Sequence, residues 1–351
     1  MNRRNFLKIL AFLTFFLSFN LFSKTKRIVR FKHGVASGDP TPDDVILWTK
    51  VTSNSKSSIL VFYEVSNTID FKNIIASGKQ YTTVGRDFTV KVDARIPNKF
   101  AGQKVFYRFA AEGVYSQIGT TFTLPEDVEN FKLAVFSCSN YPAGYFNAYN
   151  SASKDKSIDM AIHLGDYLYE YKQGEYATEN SISLNRQPIP NKEIITLSDY
   201  RQRHAQYKSD MDLQKLHSTM PVLCAWDDHE ITNDAWKNNA ENHQLNEGSF
   251  SQRKRNAIKA YYEWMPVREP KISFNNWKRY KIGKLIDLKL LETRISSRSK
   301  QVNLNDYIKD GKNFQKEAFL KELNNKKRSL IGKKQLDLSL IHISEPTRPF
   351  H

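Results

Sequence analysis

The chain of 351 residues contains only two cysteines. Two thiols exclude a disulfide-dense scaffold and any four-cysteine zinc site. It has no internal repeat and no low-complexity segment, which sets aside solenoid architectures. No acid occurs in the first 30 residues, against seven Lys/Arg. The apolar run from Ile9 to Phe22 falls short of the ~20 residues that span a bilayer. A lipobox cysteine behind that run is missing too, and Leu21-Phe22-Ser23 lacks the pair of alanines usual at a cleavage site.

Apolar residues, by contrast, are plentiful. At 40% hydrophobic and 13% aromatic, the chain can bury a sizeable core, which excludes global disorder. At ~150 residues per domain the length suggests two domains. A net charge of +16 first suggests a nucleic-acid binder. The basicity, however, lies at the ends. Residues 1–30 carry +7, residues 251–351 hold 24 Lys/Arg against 10 Asp/Glu, and the stretch between is left at −5. Basic ends read as solvated surface, so no nucleic-acid partner is expected.

Arg3-Arg4-Asn5-Phe6-Leu7-Lys8 ahead of the short apolar run reads as an export signal over residues 1–26. The arginine pair followed by Phe-Leu-Lys resembles the twin-arginine signal. That pathway carries folded proteins, often with metal already inserted. It implies the twin-arginine export machinery as a partner and a periplasmic or extracellular location, with membrane retention by an uncleaved signal as the alternative.

Residues 27–127 read as a β-sandwich. Phe88–Ala94 alternates with period two, and Ile59–Tyr63, Val105–Phe109 and Thr120–Leu124 are further strands. Gly/Pro clusters such as Ser37-Gly38-Asp39-Pro40-Thr41-Pro42 separate them. About seven short strands in a segment of this length suggest an immunoglobulin-like sandwich. Leu124-Pro125-Glu126-Asp127 reads as a linker. From residue 128 strands alternate with helices, which predicts an α/β layered domain. Its strands are Lys132–Phe136, Met160–Leu164 and Val222–Trp226, with a helical stretch over 198–216. The fold class expected is therefore two-domain α+β, an N-terminal sandwich followed by an α/β layer domain.

Each of those three strands ends in polar residues: Ser137-Cys138-Ser139-Asn140, Gly165-Asp166-Tyr167-Leu168-Tyr169 and Asp227-Asp228-His229-Glu230. In open α/β sheets, ligands bind beyond the carboxyl ends of strands. If the strands are neighbours, a thiol, carboxylates, a phenol and an imidazole converge. Packed carboxylates disfavour ionisation unless cations compensate, so bound metal is the simplest reading. Carboxylates with a phenolate suit Fe(III) or a hard divalent ion. The blander alternatives are a Cys138–Cys224 disulfide, a core role for His163, and packing roles for Tyr167, Tyr171, His204 and His217.

Gly165-Asp166-x-x-Tyr169 and Trp226-Asp227-Asp228-His229-Glu230 together resemble the PhoD-type alkaline phosphatase/phosphodiesterase family. His33–Pro40, Val45–Thr49, Tyr200-Arg201-x-Arg203-His204 and Ala260–Arg268 extend the resemblance over residues 31–295. It implies a metallophosphatase with an iron–calcium cluster (Fe3+ and Ca2+) that hydrolyses phosphate mono- and diesters. By motif position Cys138, Asp166 and Tyr169 would bind iron, with Asp166 bridging to a second metal. Asp227 and Asp228 would supply oxygen ligands, and His229 and Asn233 would sit near the phosphate or the metal. A metal-bridging oxide or hydroxide would attack phosphorus, without a covalent serine intermediate. A phospholipase D-like diesterase and a non-catalytic cell-surface binding protein are the rival readings. A monomer is expected.

The catalytic domain of the resembled family continues beyond residue 337. Ile331–Asp337 resembles a Gly-x-x-Gln helix start of that family, whereas residues 338–351 fit nothing in its pattern. The expectation is a layer domain over 128–337, incomplete at its carboxyl end and followed by a non-native tail. An incomplete sheet would expose apolar edges, and a cluster lacking ligands would bind metal weakly, so the 351-residue chain is expected to be poorly soluble and inactive although its parent is an enzyme.

Overall fold

The computed structural model describes residues 28–54, 56–270 and 276–340. The proposed signal (1–26) lies outside them. Of the 338–351 tail only 338–340 is described, at the end of a helix.

The first part is two antiparallel sheets packed face to face. One has the order β1 (Val35–Gly38), β2 (Asp44–Lys50), β5 (Thr89–Arg95). The other runs β7 (Gly119–Thr121), β6 (Val105–Ala111), β3 (Ile59–Ser66), β4 (Ile74–Thr82), with Val114–Tyr115 added to β6. Val105, Tyr107, Phe109 and Ala111 alternate inward along β6 and meet Val45, Leu47, Val61 and Val90 in one core, as period-two patterning requires.

The supposed linker is not loose. Leu124 is buried, its N–H donates to Thr41 O (2.8 Å), and it joins the core of the second part. Asp39, fully buried, accepts hydrogen bonds from Arg268 N and Tyr280 Oη (both 2.6 Å) and pairs with Lys278. Trp48 Nε1 donates to Glu263 O (2.8 Å). The two parts thus share a seam of charged and aromatic groups.

The second part is built on a parallel sheet, β8 (Leu133–Phe136), β9 (Met160–His163), β10 (Val222–Cys224), in chain order. Ala161, Val222 and Cys224 pack against helices α1 (Asn147–Lys154), α2 (Leu197–Lys208), α3 (Met211–Thr219) and α4 (Phe250–Trp264). Met160, Ile162 and Leu223 meet the hairpin β11 (Lys278–Ile282) and β12 (Ile286–Leu290) on the other face. At the sheet edge, Val135 of β8 is exposed. Lys316–Leu323 (α5) and Gly332–Leu340 (α6) complete the described helices.

The predicted helix over 198–216 is in fact two. Asp210 breaks it by turning its carboxylate onto Asp212 N (2.9 Å) and Leu213 N (3.1 Å), the behaviour of an N-cap residue. His204 and His217 therefore lie on different helices. Where α2 ends, Lys208 is buried, hydrogen-bonded to His217 Nε2 (3.0 Å) and set over Trp48 (4.9 Å to the ring centroid). Burial lowers its pKa to about 7. The unfolded chain then binds that proton more tightly than the folded one. Stability should rise with pH from about 7 to about 10, by up to ~1.4 kcal/mol per pH unit from this group. Lys208→Met is expected to stabilise at pH 7, with the advantage fading towards pH 10. Urea melts across that range check it; a pH-independent difference would refute a titrating Lys208.

Candidate active site

The register of the parallel sheet builds the site. Phe136, His163 and Cys224 share one rung. Two residues beyond it lie Cys138, Gly165 and Trp226, and the next step brings Asp166 and Asp227 alongside. Cross-strand bonds continue past the strands, from Cys138 N to Gly165 O (3.2 Å) and from Ser139 N to Asp166 O (2.8 Å). Cys138 (φ 58°) and Asp166 (φ 54°) both adopt the left-handed region. That conformation is unfavourable for residues with a β-carbon and concentrates at functional sites.

Asp166, Asp228 and His229 each place one possible ligand atom within 4.8 Å of the others, all buried. Asp166 Oδ2 is also 3.4 Å from Cys138 Sγ and 3.4 Å from Tyr169 Oη. Five of the seven anticipated residues are thereby brought together. The two thiols are free, Cys138 exposed and Cys224 buried in β10. His163 is a core residue whose Nε2 pairs with Tyr149 Oη (2.9 Å) and Ser139 Oγ (3.0 Å).

The other two residues sit differently. Asp227 stands at the rim in a two-pronged pair with Arg294 (2.5 and 3.0 Å). Burial works against its ionisation, but Arg294 outweighs it and holds the carboxyl below its ordinary value. Asn233 donates from its side-chain amide to Glu241 (3.0 Å) and from its backbone N–H to Glu170 Oε1 (2.7 Å).

Three further residues organise the centre: Glu230, which closes the Trp-Asp-Asp-His-Glu motif but carries no expected role there, and Glu170 and Arg294, which lie outside the motifs. Glu230 is buried and accepts from Asp166 N (3.1 Å), Tyr167 N (2.6 Å) and Asp227 N (2.8 Å), tying two strand ends together. Glu170, also buried, accepts from His229 Nδ1 (2.7 Å), Thr232 Oγ1 (3.1 Å), Asn233 N and Asn242 Nδ2 (2.9 Å). Burial opposes the charge on both partners. The mutual hydrogen bond prevails, pulling Glu170 down to about 2 and pushing His229 up to about 9. This contact also leaves His229 Nε2 as the ring nitrogen available to a ligand. Arg294 reaches Asp228 as well (3.2 Å). Its loop is held by Glu292, which accepts from Trp226 Nε1, Arg294 N, Ile295 N and Ser296 N. Gln335 brackets Glu292 from α6. The only sequence signal for Arg294 is its place just past β12.

The donor set fits a cation. Asp166 Oδ1 is buried with no hydrogen-bond partner. Burial and the nearby Asp227 charge raise the pKa of Asp166, and the same causes push Asp228 up to about 6. An anionic pocket short of positive charge, with oxygen, nitrogen and sulfur donors on one point, suits hard or borderline metal ions.

Two cavities lie near this group. One, of about 430 Å³, opens beside Cys138 and Tyr169. The second, of about 650 Å³, is lined by Asp234, Trp236, Glu241 and Lys300. Asp234 N donates to Asp228 Oδ2 (2.5 Å), which ties the lining of the second cavity to the cluster.

Comparison with known proteins identifies the family. Residues 133–343 match the family model of PhoD-like phosphatases, and residues 18–125 match the N-terminal domain of the same family. The chain is 35% identical over 321 residues to alkaline phosphatase D of Bacillus subtilis (strain 168). That match covers 87% of this chain and 52% of the relative. A solved structure of PhoD superposes with a TM-score of 0.74 at 33% identity, covering 88% of this chain and 58% of that one. The chain thus spans little more than half the length of these relatives.

Proposed function

Since this chain belongs to the PhoD-like phosphatase family, we propose that it hydrolyses phosphate esters at the Asp166–Asp228–His229 centre. The observation that carries the reading is Asp166. One of its carboxylate oxygens meets Cys138 and Tyr169, while the other is buried without a partner. Cys138, Asp166 and Tyr169 would hold iron, and Asp166, Asp228 and the rim residue Asp227 would hold calcium. When bound, such a pair supplies positive charge to phosphoryl oxygens and a more acidic water at neutral pH.

The protein groups divide the remaining work. Arg294, anchored on Asp227, presents a fixed guanidinium at the rim, suited to a non-bridging phosphate oxygen. His229, held at Nδ1 by Glu170, can present Nε2 to the phosphate or to the leaving oxygen. Its pairing with a buried carboxylate fixes the ring so that no reorientation is needed during the reaction. Asn233 is left a backbone role in holding Glu170. Diesters are included because the cavity beside Cys138 and Tyr169 leaves room for an ester group next to the cluster.

Assay with an aryl phosphate monoester, an aryl diester and a phospholipid tests the reading. Cys138, Asp166, Tyr169 and Asp228 lie together among the described residues, so, against the expectation of an inactive chain, we expect turnover of the aryl esters that a chelator abolishes and iron with calcium restores. The iron-loaded protein should show a visible phenolate charge-transfer band that Tyr169→Phe removes. No turnover and no band would overturn the proposal.

Export through the twin-arginine pathway is proposed from Arg3 and Arg4. Exchanging both for lysine should hold the precursor in the cytoplasm; unchanged export would exclude that route. Among the described residues no helix is long and apolar enough to cross a membrane.

A further inference from the structure

The cavity beside Cys138 differs in chemistry from the second one. Apart from the proposed iron ligands Cys138 and Tyr169, its lining residues are small, hydroxyl, amide or aromatic. The second cavity is lined by Asp234, Glu241, Lys300 and Asp306. Two tyrosines of the first cavity stand out because they are wet. Tyr145 and Tyr176 are each 59% exposed, although both line a recess. Exposed aromatic faces at the mouth of a cavity, beside a few polar groups, are a common arrangement for binding organic ligands.

Both rings are backed by fixed structure. Tyr176 stacks on Tyr169 (centroids 5.9 Å apart, planes at 21°), the ring whose hydroxyl meets Asp166. Tyr145 follows Gly144 on the loop leading into α1, with the Arg186 guanidinium 5.5 Å from its centroid. Arg186 is itself held by Asp210 (2.7 Å) and Tyr141 O (2.7 Å). Neither tyrosine is among the ligand-type groups gathered at Asp166, Asp228 and His229.

We propose that Tyr145 and Tyr176 form an aromatic-walled subsite for an uncharged, ring-bearing or flat apolar ester group of the substrate. The phosphate lies on the Asp166 side, and charged or strongly polar ester groups are disfavoured in the subsite. The subsite sets substrate preference and takes no part in bond cleavage. This rests on the phosphoesterase reading above, and the test separates the two.

The probes are phenylphosphonate and methylphosphonate, which present the same anion with and without a ring and are not hydrolysed. Their affinities for the protein in buffer containing iron and calcium are measured by calorimetry. Phenylphosphonate is expected to bind about five- to tenfold more tightly, the scale of one aromatic contact. The ratio should fall to about one in the Tyr145→Ala/Tyr176→Ala variant and persist when both become Phe. Both side chains are more than half exposed, so truncation spares the core. Saturation transfer from the protein to the phenyl ring protons, measured on the parent, gives a second readout and should be strong. A ratio of one in the parent, or a ratio unchanged by the alanines, overturns the subsite while leaving the phosphoesterase reading intact. Failure of both phosphonates to bind overturns the phosphate site and the subsite with it.

Discussion

Asp166→Asn should lower phosphoesterase kcat/KM by roughly 10³-fold or more, the scale seen when a group that stabilises transition-state charge is removed. It should also strip the protein of tightly bound metal. The substitution is nearly isosteric, so the fold is not the cause. The loss follows because an amide presents only one oxygen, with no charge, where the carboxylate faces Cys138, Tyr169 and the empty side of Oδ1. Stability should move the other way in metal-free protein. A buried carboxylate near Asp227 has its pKa raised, so above that pKa ionisation opposes folding. The metal-free Asn variant should therefore be at least as stable as the metal-free parent at pH 8. Metal analysis, steady-state kinetics and urea melts read the three effects. An active, metal-replete Asn variant would remove Asp166 from the centre; a metal-free variant markedly less stable than its parent would show that the carboxylate is not frustrated.

Gly165→Ala is expected to be the most disruptive small substitution in the chain. Gly165 has φ +114°, and a β-carbon there would lie 2.2 Å from Asp227 N, 2.6 Å from Asp227 Cβ and 2.7 Å from Trp226 C. Those are mainly backbone contacts, so no rotamer change relieves them. The strand ends carrying Asp166 and Asp227 must separate, breaking the Glu230 bonds to both. Backbone strain and overpacking together should cost about 3–5 kcal/mol. Gly174→Ala is the control. Its φ is also positive (+89°), but nothing lies within 4 Å of the added carbon, so only the ~1–2 kcal/mol of backbone strain applies. Equal losses at the two positions, read by urea melts, would refute the crowding argument.

The sequence by itself determined the materials of the site and their rough placement. Period-two alternation marked the sandwich strands, because a strand buried on one face must alternate. Short apolar runs ending in Ser-Cys-Ser, Gly-Asp and Asp-Asp-His-Glu marked three strand ends, because a buried strand cannot carry such groups until it leaves the sheet. Pairing of those strands then placed Cys138, Asp166 and Asp228 with little freedom left. Residues whose task depends on a partner far along the chain were decided only by tertiary structure. Arg294 reaches Asp227 across 67 positions, Glu170 reaches His229 across 59, and Glu230 joins turns 64 residues apart. No local pattern encodes such pairs, since each carboxylate or guanidinium alone is an ordinary polar residue. The same limit explains Asn233, whose side chain was free to face either the cluster or Glu241, and Asp210, whose capping role broke a helix that periodicity read as continuous. Spacing fixes which face of a strand or which turn a residue occupies; the direction of its last bonds is set by whichever partner the folded chain brings within reach.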